Sequence, residues 1–153
     1  MNKHGTGLIF LFSMVIFLFS GYCGIAQDKD IPAIIDSKNY AFRVTHESGG
    51  DFALGNYYFY LLNDSISVAL PYHGQSGVAS YTMDDNGINM HTKDFTYQST
   101  ESKNGSYTIK INLNNDRLTR SFSIHVNKRG NAILTADGIN RDAVSFTGQI
   151  DGL

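Results

Sequence analysis

The chain has almost no cysteine. Cys23 is its one thiol among 153 residues, which excludes an intramolecular disulfide and any multi-thiolate metal centre. Proline is scarce, with Pro32 and Pro71 the two present. Charge of one sign is lacking too: 12 Lys and Arg stand against 14 Asp and Glu, a net charge of −2. Such a balance lacks the basic footprint that a nucleic-acid partner demands. Neither a Gly-x-Ser-x-Gly elbow nor a Gly-x-x-x-x-Gly-Lys phosphate loop occurs, so two widespread nucleophile and nucleotide sites are excluded. The apolar run Leu8 to Ser20 falls short of the about 20 residues that span a bilayer, and no retained transmembrane helix is expected.

That run has a different meaning. It follows a short basic start with Lys3 and precedes small residues ending in Gly24-Ile25-Ala26. This is the layout of a secretory signal peptide over residues 1–26, cleaved before Gln27. Periplasmic or secreted localisation is the expectation. The alternative is a lipoprotein anchored through Cys23, although Tyr22 stands where a lipobox prefers a small residue. Cleavage after Ala26 removes Lys3 and leaves a net charge of −3 (11 − 14) with no cysteine. The remaining chain of about 127 residues must be held together by apolar burial, which one domain of that size supplies.

Residues 27–37 read as a lead-in. Gln27 to Asp30 is polar and expected to be flexible. Ile31 to Ser37 forms at most one short helical turn, with Asp30 as N-cap and Pro32 early in the turn. Residues 38–153 read as a single β domain, because apolar residues then recur every second position. Tyr40, Phe42 and Val44 share a face; so do Ile66, Val68 and Leu70, then Tyr107, Ile109, Ile111 and Leu113, then Phe122, Ile124 and Val126. Turn residues separate these runs: Asn63-Asp64, Asp84 to Gly87 with Gly87 suited to positive φ, Lys103 to Gly105, Asn114 to Arg117 and Lys128 to Asn131. Pro71 is expected to stop the third strand, and Asp137-Gly138 to be a turn. The fold class is all-β: a single antiparallel meander of about eight or nine short strands, closed as a barrel or folded as a sandwich.

Several local patterns coincide. Lys38-x-Tyr40-x-Phe42 opens the first strand, Leu70-Pro71-Tyr72-His73-Gly74 closes the third, and Tyr107-x-Ile109-x-Ile111 lies mid-chain. Asn140-Arg141 then leads into Val144-Ser145-Phe146-Thr147-Gly148-Gln149-Ile150. Together, from about Lys38 to Ile150, these resemble the domain of unknown function 4251 family, secreted proteins of Bacteroidota. His73 departs from the aromatic residue the first of the two specific elements would carry. The resemblance implies a secreted envelope protein. It brings no catalytic residues and no cofactor.

Chemistry-bearing residues are dispersed. His46, His73, His91 and His125 show no His-x-His or His-x₃-His spacing, so no metal site is expected. His125 lies between two inward residues and therefore points out. His73 and Tyr72 follow a strand end, where loops present side chains; the competing reading has Tyr72 on the core and Gly74 at a bend. Asp84-Asp85-Asn86 reads as a solvated turn rather than a calcium loop. Strand Tyr57-Tyr58-Phe59-Tyr60 is aromatic on both faces. One face enters the core; the other, Tyr58 with Tyr60 or Tyr57 with Phe59, offers a platform for a sugar ring or peptide, unless a loop or second sheet covers it, as the competing reading has it. The candidate ligand-binding residues are thus Tyr58, Tyr60, Tyr72 and His73, with no catalytic residue and no cofactor assigned. The expectation is a non-catalytic binding module for a small ligand or an envelope protein. A small hydrolase using the loop histidine, and an inhibitor or assembly partner pairing through an edge strand, are the alternatives.

Overall fold

The computed structural model describes residues 29–47, 57–71, 87–140 and 142–153. Helix α1 (Ile31–Ser37) is followed by nine strands: β1 (Asn39–Glu47), β2 (Tyr58–Leu62), β3 (Ser65–Pro71), β4 (Gly87–Thr92), β5 (Phe95–Glu101), β6 (Tyr107–Leu113), β7 (Thr119–Val126), β8 (Asn131–Gly138) and β9 (Val144–Gly152). They form one sheet in the order β4-β3-β2-β1-β9-β8-β7-β6-β5. Every pairing is antiparallel. This is a meander whose first and last strands pair, giving a nearly closed barrel.

The closure has a simple logic. Eight antiparallel steps separate β4 from β5 around the sheet, so the two strands run in the same direction. Only Lys93 and Asp94 join them. They amount to one interrupted strand whose first half pairs with β3 and whose second half pairs with β6. Counted once, it makes the wall eight-stranded, the size at which side chains fill a barrel interior. The interruption is tied to both flanks. Lys93 Nζ meets Asp64 Oδ2 of the β2–β3 turn at 2.9 Å. Asp94 Oδ1 accepts from Asn114 Nδ2 at 2.6 Å, and its other oxygen accepts from Asn115.

Alternation decides what lies inside. Phe42 of β1, Phe59 and Leu61 of β2, Ile109 and Ile111 of β6, Phe122 and Ile124 of β7, Leu134 of β8, and Phe146 and Ile150 of β9 are fully buried. Phe59 and Phe122 sit on strands four steps apart in the sheet, on opposite sides of an eight-stranded wall. Their rings nevertheless meet edge to face, with centroids 5.2 Å apart. The interior is therefore a packed core at that level. Small inward residues, Ala132, Ala136 and Gly148, offset these large rings.

Gly148 marks the tightest approach. A Cβ there would collide with the Arg43 carbonyl oxygen and lie 2.8 Å from the Phe42 ring, next to the register shift between Val44 and His46. Strand bulges commonly need such a residue.

Helix α1 starts as its sequence predicts. Asp30 accepts the Ala33 N–H at 3.1 Å, Pro32 sits in the first turn and Lys38 ends the helix at φ +50°. Ile31 and Ile35 enter the core. Of the polar stretch before it, Lys29 and Asp30 are described: Lys29 Nζ pairs with Asp151 Oδ1 at 2.5 Å and Asp30 is the cap.

Pro71 ends β3 as expected, as its last residue and opposite Gly87; a proline there leaves the preceding ladder intact. Two expectations need correction. Asp137 and Gly138 belong to β8, opposite Ser121 and Thr119. Asp137 faces out towards Arg120, at 3.6 Å, and the register shift between Thr119 and Ser121 absorbs the irregularity. Gly87 is not among the positive-φ residues. Its lack of a side chain serves packing instead, since a Cβ would lie 2.9 Å from the Leu70 carbonyl oxygen. Asn63, Gly105 and Gly130 do carry the left-handed turns, at φ +52°, +75° and +83°.

Candidate functional site

Strand β2 settles which aromatic face points outward. Phe59 and Leu61 fill the interior, so Tyr58 and Tyr60 project from the outer wall, both half-buried. Tyr57 packs against the core cluster. The Tyr58 and Tyr60 rings lie 4.7 Å apart, tilted by 35°.

Register gives the surroundings of this pair. One outer row reads Asp151, Ala41, Tyr60, Ser67, His91 across β9, β1, β2, β3 and β4. The next reads Gln149, Arg43, Tyr58, Ala69, Asn89. Each tyrosine thus has a small residue beside it, and polar groups complete the border. Ala41 faces outward yet is 1% exposed, between Tyr60 and Asp151 in register. Arg43 Nε stands 3.5 Å from Asp151 Oδ2, with the arginine side chain 70% exposed. The arrangement combines an aromatic surface with hydrogen-bonding groups at its margin, as ligand-orienting sites require.

A second outer feature lies across β7–β9. A concavity of about 370 Å³ is lined by Ser106, His125, Asn127, Asn131, Ile133 and Thr147, among others, and shares no residue with the tyrosine rows. Ile133 is 48% exposed there. His125 points outward as expected and its Nδ1 stands 3.1 Å from the Thr108 hydroxyl. His46 Nδ1 lies 3.2 Å from Thr45 Oγ1, and His91 is exposed on β4. Among the described residues, no three His, Cys, Asp or Glu side chains come together as metal ligands would.

Two tyrosines to which the sequence reading gave no site role, Tyr40 and Tyr97, have unusual surroundings. Burial, followed by the neighbouring Tyr97, holds the Tyr40 phenol well above the ordinary tyrosine range. The Tyr97 phenol is raised as well, chiefly by burial. The only sequence signal was a tyrosine at an inward position, where a hydroxyl needs a partner. At the surface, Lys93 lowers the Asp64 carboxyl through a hydrogen bond and its charge.

The candidate pair Tyr72 and His73 lies outside the described residues, as do Cys23, the 1–26 leader and the turn before Gly87. The structure therefore brings Tyr58 and Tyr60 together and leaves the other two sequence candidates unplaced. Among the described residues, no helix is long and apolar enough to cross a membrane.

The sheet order and pairings define the protein as a single-sheet antiparallel barrel. Residues 25–150 match the domain of unknown function DUF4251. The chain belongs to that family. Its fold is similar to a crystal structure of a DUF4251 family protein from Bacteroides eggerthii DSM 20697. The TM-score is 0.54 at 11% identity, covering 79% of this chain and 84% of that one. A search of curated proteins returned no match.

Proposed function

We propose that this protein is a secreted envelope protein whose barrel serves as a non-catalytic binding module, and that Tyr58 and Tyr60 form its contact surface. The observation that carries the reading is the tilted ring pair on the outer wall, 4.7 Å apart. The fold does not need two large aromatics there, since the inner face of β2 already supplies Phe59 and Leu61. A sugar ring is the ligand class that fits. Its C–H face stacks on aromatic rings, and its hydroxyls find Arg43, Asp151 and Asn89 within the same two rows. The sequence layout of residues 1–26 supports export, to the periplasm or beyond, with Cys23 lipidation as the alternative route to the envelope. An envelope protein bearing glycans would be reached through the same contact.

The test is a thermal-shift screen of the purified protein against soluble oligosaccharides, with the Tyr58→Ala/Tyr60→Ala double variant in parallel. A ligand of the native state raises the melting temperature by mass action. At least one oligosaccharide should shift the parent protein and leave the double variant unmoved. A panel without any shift, or equal shifts in both proteins, would overturn the proposal.

A further inference from the structure

Beneath α1, at the barrel end where β1 begins and β9 finishes, one polar atom stands out. The Tyr40 side chain is fully buried, and its hydroxyl has no hydrogen-bond partner among the described residues. Leaving a buried hydroxyl unpaired costs about 1–3 kcal/mol, so each such group asks for an explanation. The Tyr97 phenol is close enough for the two groups to influence each other electrostatically, but falls short of a geometric hydrogen bond. Tyr97 instead donates to the Ile35 carbonyl of α1, at a long 3.5 Å.

The element above this hydroxyl is short. Helix α1 has seven residues, too few to be stable without its docking contacts. Its underside inserts Ile31 and Ile35 into the barrel. It joins β1 through Lys38, a non-glycine residue held at φ +50°, a strained conformation that a hinge would relieve. Its outer ties are few: Lys38 above the Tyr97 ring at 5.1 Å, the Lys38 carbonyl accepting from the Asn63 N–H at 2.7 Å, and the part-buried Lys29, which meets Asp151 and the Ile150 carbonyl at 3.4 Å. Among the described residues β5 pairs only with β6.

We propose that the space filled by Ile31 and Ile35 is a binding site for a small apolar molecule carrying one neutral hydrogen-bond acceptor, such as an ester or ketone oxygen. Helix α1 occupies this site in the ligand-free protein and swings out about Lys38 to admit the ligand. Tyr40 donates to the acceptor, which removes the unpaired hydroxyl. A charged head group is disfavoured, because its desolvation in this interior would have no compensation. An eight-stranded barrel has room for one such molecule at most. The site is separate from the outer tyrosine rows, so either can fail alone.

The probes are methyl octanoate and its hydrocarbon counterpart nonane, titrated into the purified protein and followed by the NMR signals of the Ile31 and Ile35 methyl groups. The ester should bind about tenfold more tightly than the alkane, the equivalent of one hydrogen bond of about 1.4 kcal/mol. Tyr40→Phe should remove the ester's advantage and leave the alkane bound at least as tightly, because the ester oxygen is then buried without a donor. A second arm pins the helix. Gly152 has space for a Cβ 3.3 Å from Ile34 Cγ1, so Ile34→Cys with Gly152→Cys, in a Cys23→Ser background, places two thiols across the helix and β9. Oxidised, this variant should lose at least tenfold in ester affinity; reduced, it should regain it. Absence of saturable binding to the parent, an ester preference that survives Tyr40→Phe, or equal binding by locked and reduced forms would each overturn the proposal.

Discussion

The outer walls of β1–β3 and of β5–β7 make an instructive pair. Their inner faces are alike, since both present alternate apolar side chains to one core. Their outer faces differ. Across β5, β6 and β7 the outward positions are Thr96, Gln98 and Thr100, then Thr108, Lys110 and Asn112, then Ser121, Ser123 and His125. That is the composition expected of a sheet face that only meets water. Across β1–β3 the same two outer rows hold Ala41 and Arg43, then Tyr58 and Tyr60, then Ser67 and Ala69. Folding places the same demand on both walls, and the first shows that polar residues satisfy it. The tyrosines on the second wall are thus the place where the proposed contact surface can be separated experimentally from the demands of the fold.

The comparison is open to attack by substitution. The largest effect belongs to the shared interior: Phe59→Ala should cost about 3–5 kcal/mol, read as a lower midpoint in urea unfolding. Gly148→Ala comes next, at about 1–3 kcal/mol, because its methyl group meets the Arg43 carbonyl and the strands must shift. Both test whether the inner face alone carries stability.

The third test uses alkaline pH. The folded-state pKa of Tyr40 is raised above the ordinary value of 10.0. Above about pH 10 an unfolded tyrosine loses its proton while the folded one keeps it. Unfolding then releases a proton, so stability falls as pH rises from there towards the folded pKa. The slope of urea midpoint against pH in that window should flatten in Tyr40→Phe. Outer tyrosines should matter less: Tyr58→Ala and Tyr60→Ala are expected to cost about 0.2–1 kcal/mol each, the scale of one cross-strand pair. Smallest is the Lys93–Asp64 pair. Lys93 lowers the Asp64 carboxyl, so its contribution exists above the unfolded pKa and fades as acid protonates the group. Lys93→Ala should give a slight loss of stability at pH 7 that vanishes in high salt.

Much of the architecture was legible because its causes are local. Asp30 and Pro32 announce α1, and the alternation in Tyr107–Leu113 gives β6 with its inner face. What escaped reading depends on contacts between distant residues. The pairing of β1 with β9 has no local signature. Nor does the common direction of β4 and β5, since Lys93-Asp94 looks like any two-residue turn until the closed ring imposes it. Asp137-Gly138 carries turn chemistry, yet the neighbouring β7 extends the ladder through it. Of the binding candidates, periodicity narrowed the aromatic strand to two faces. Only the burial of Phe59 and Leu61 selects Tyr58 with Tyr60, because an all-aromatic stretch contains no polar residue to mark the outside.

The most direct measurement is the urea unfolding midpoint of the unliganded Tyr58→Ala/Tyr60→Ala double variant, set beside that of Phe59→Ala. The double variant should stay close to the parent protein while Phe59→Ala falls far below it. A double variant as unstable as Phe59→Ala would make the outer tyrosines part of what holds the barrel together, and the contrast between the two walls would lose its meaning.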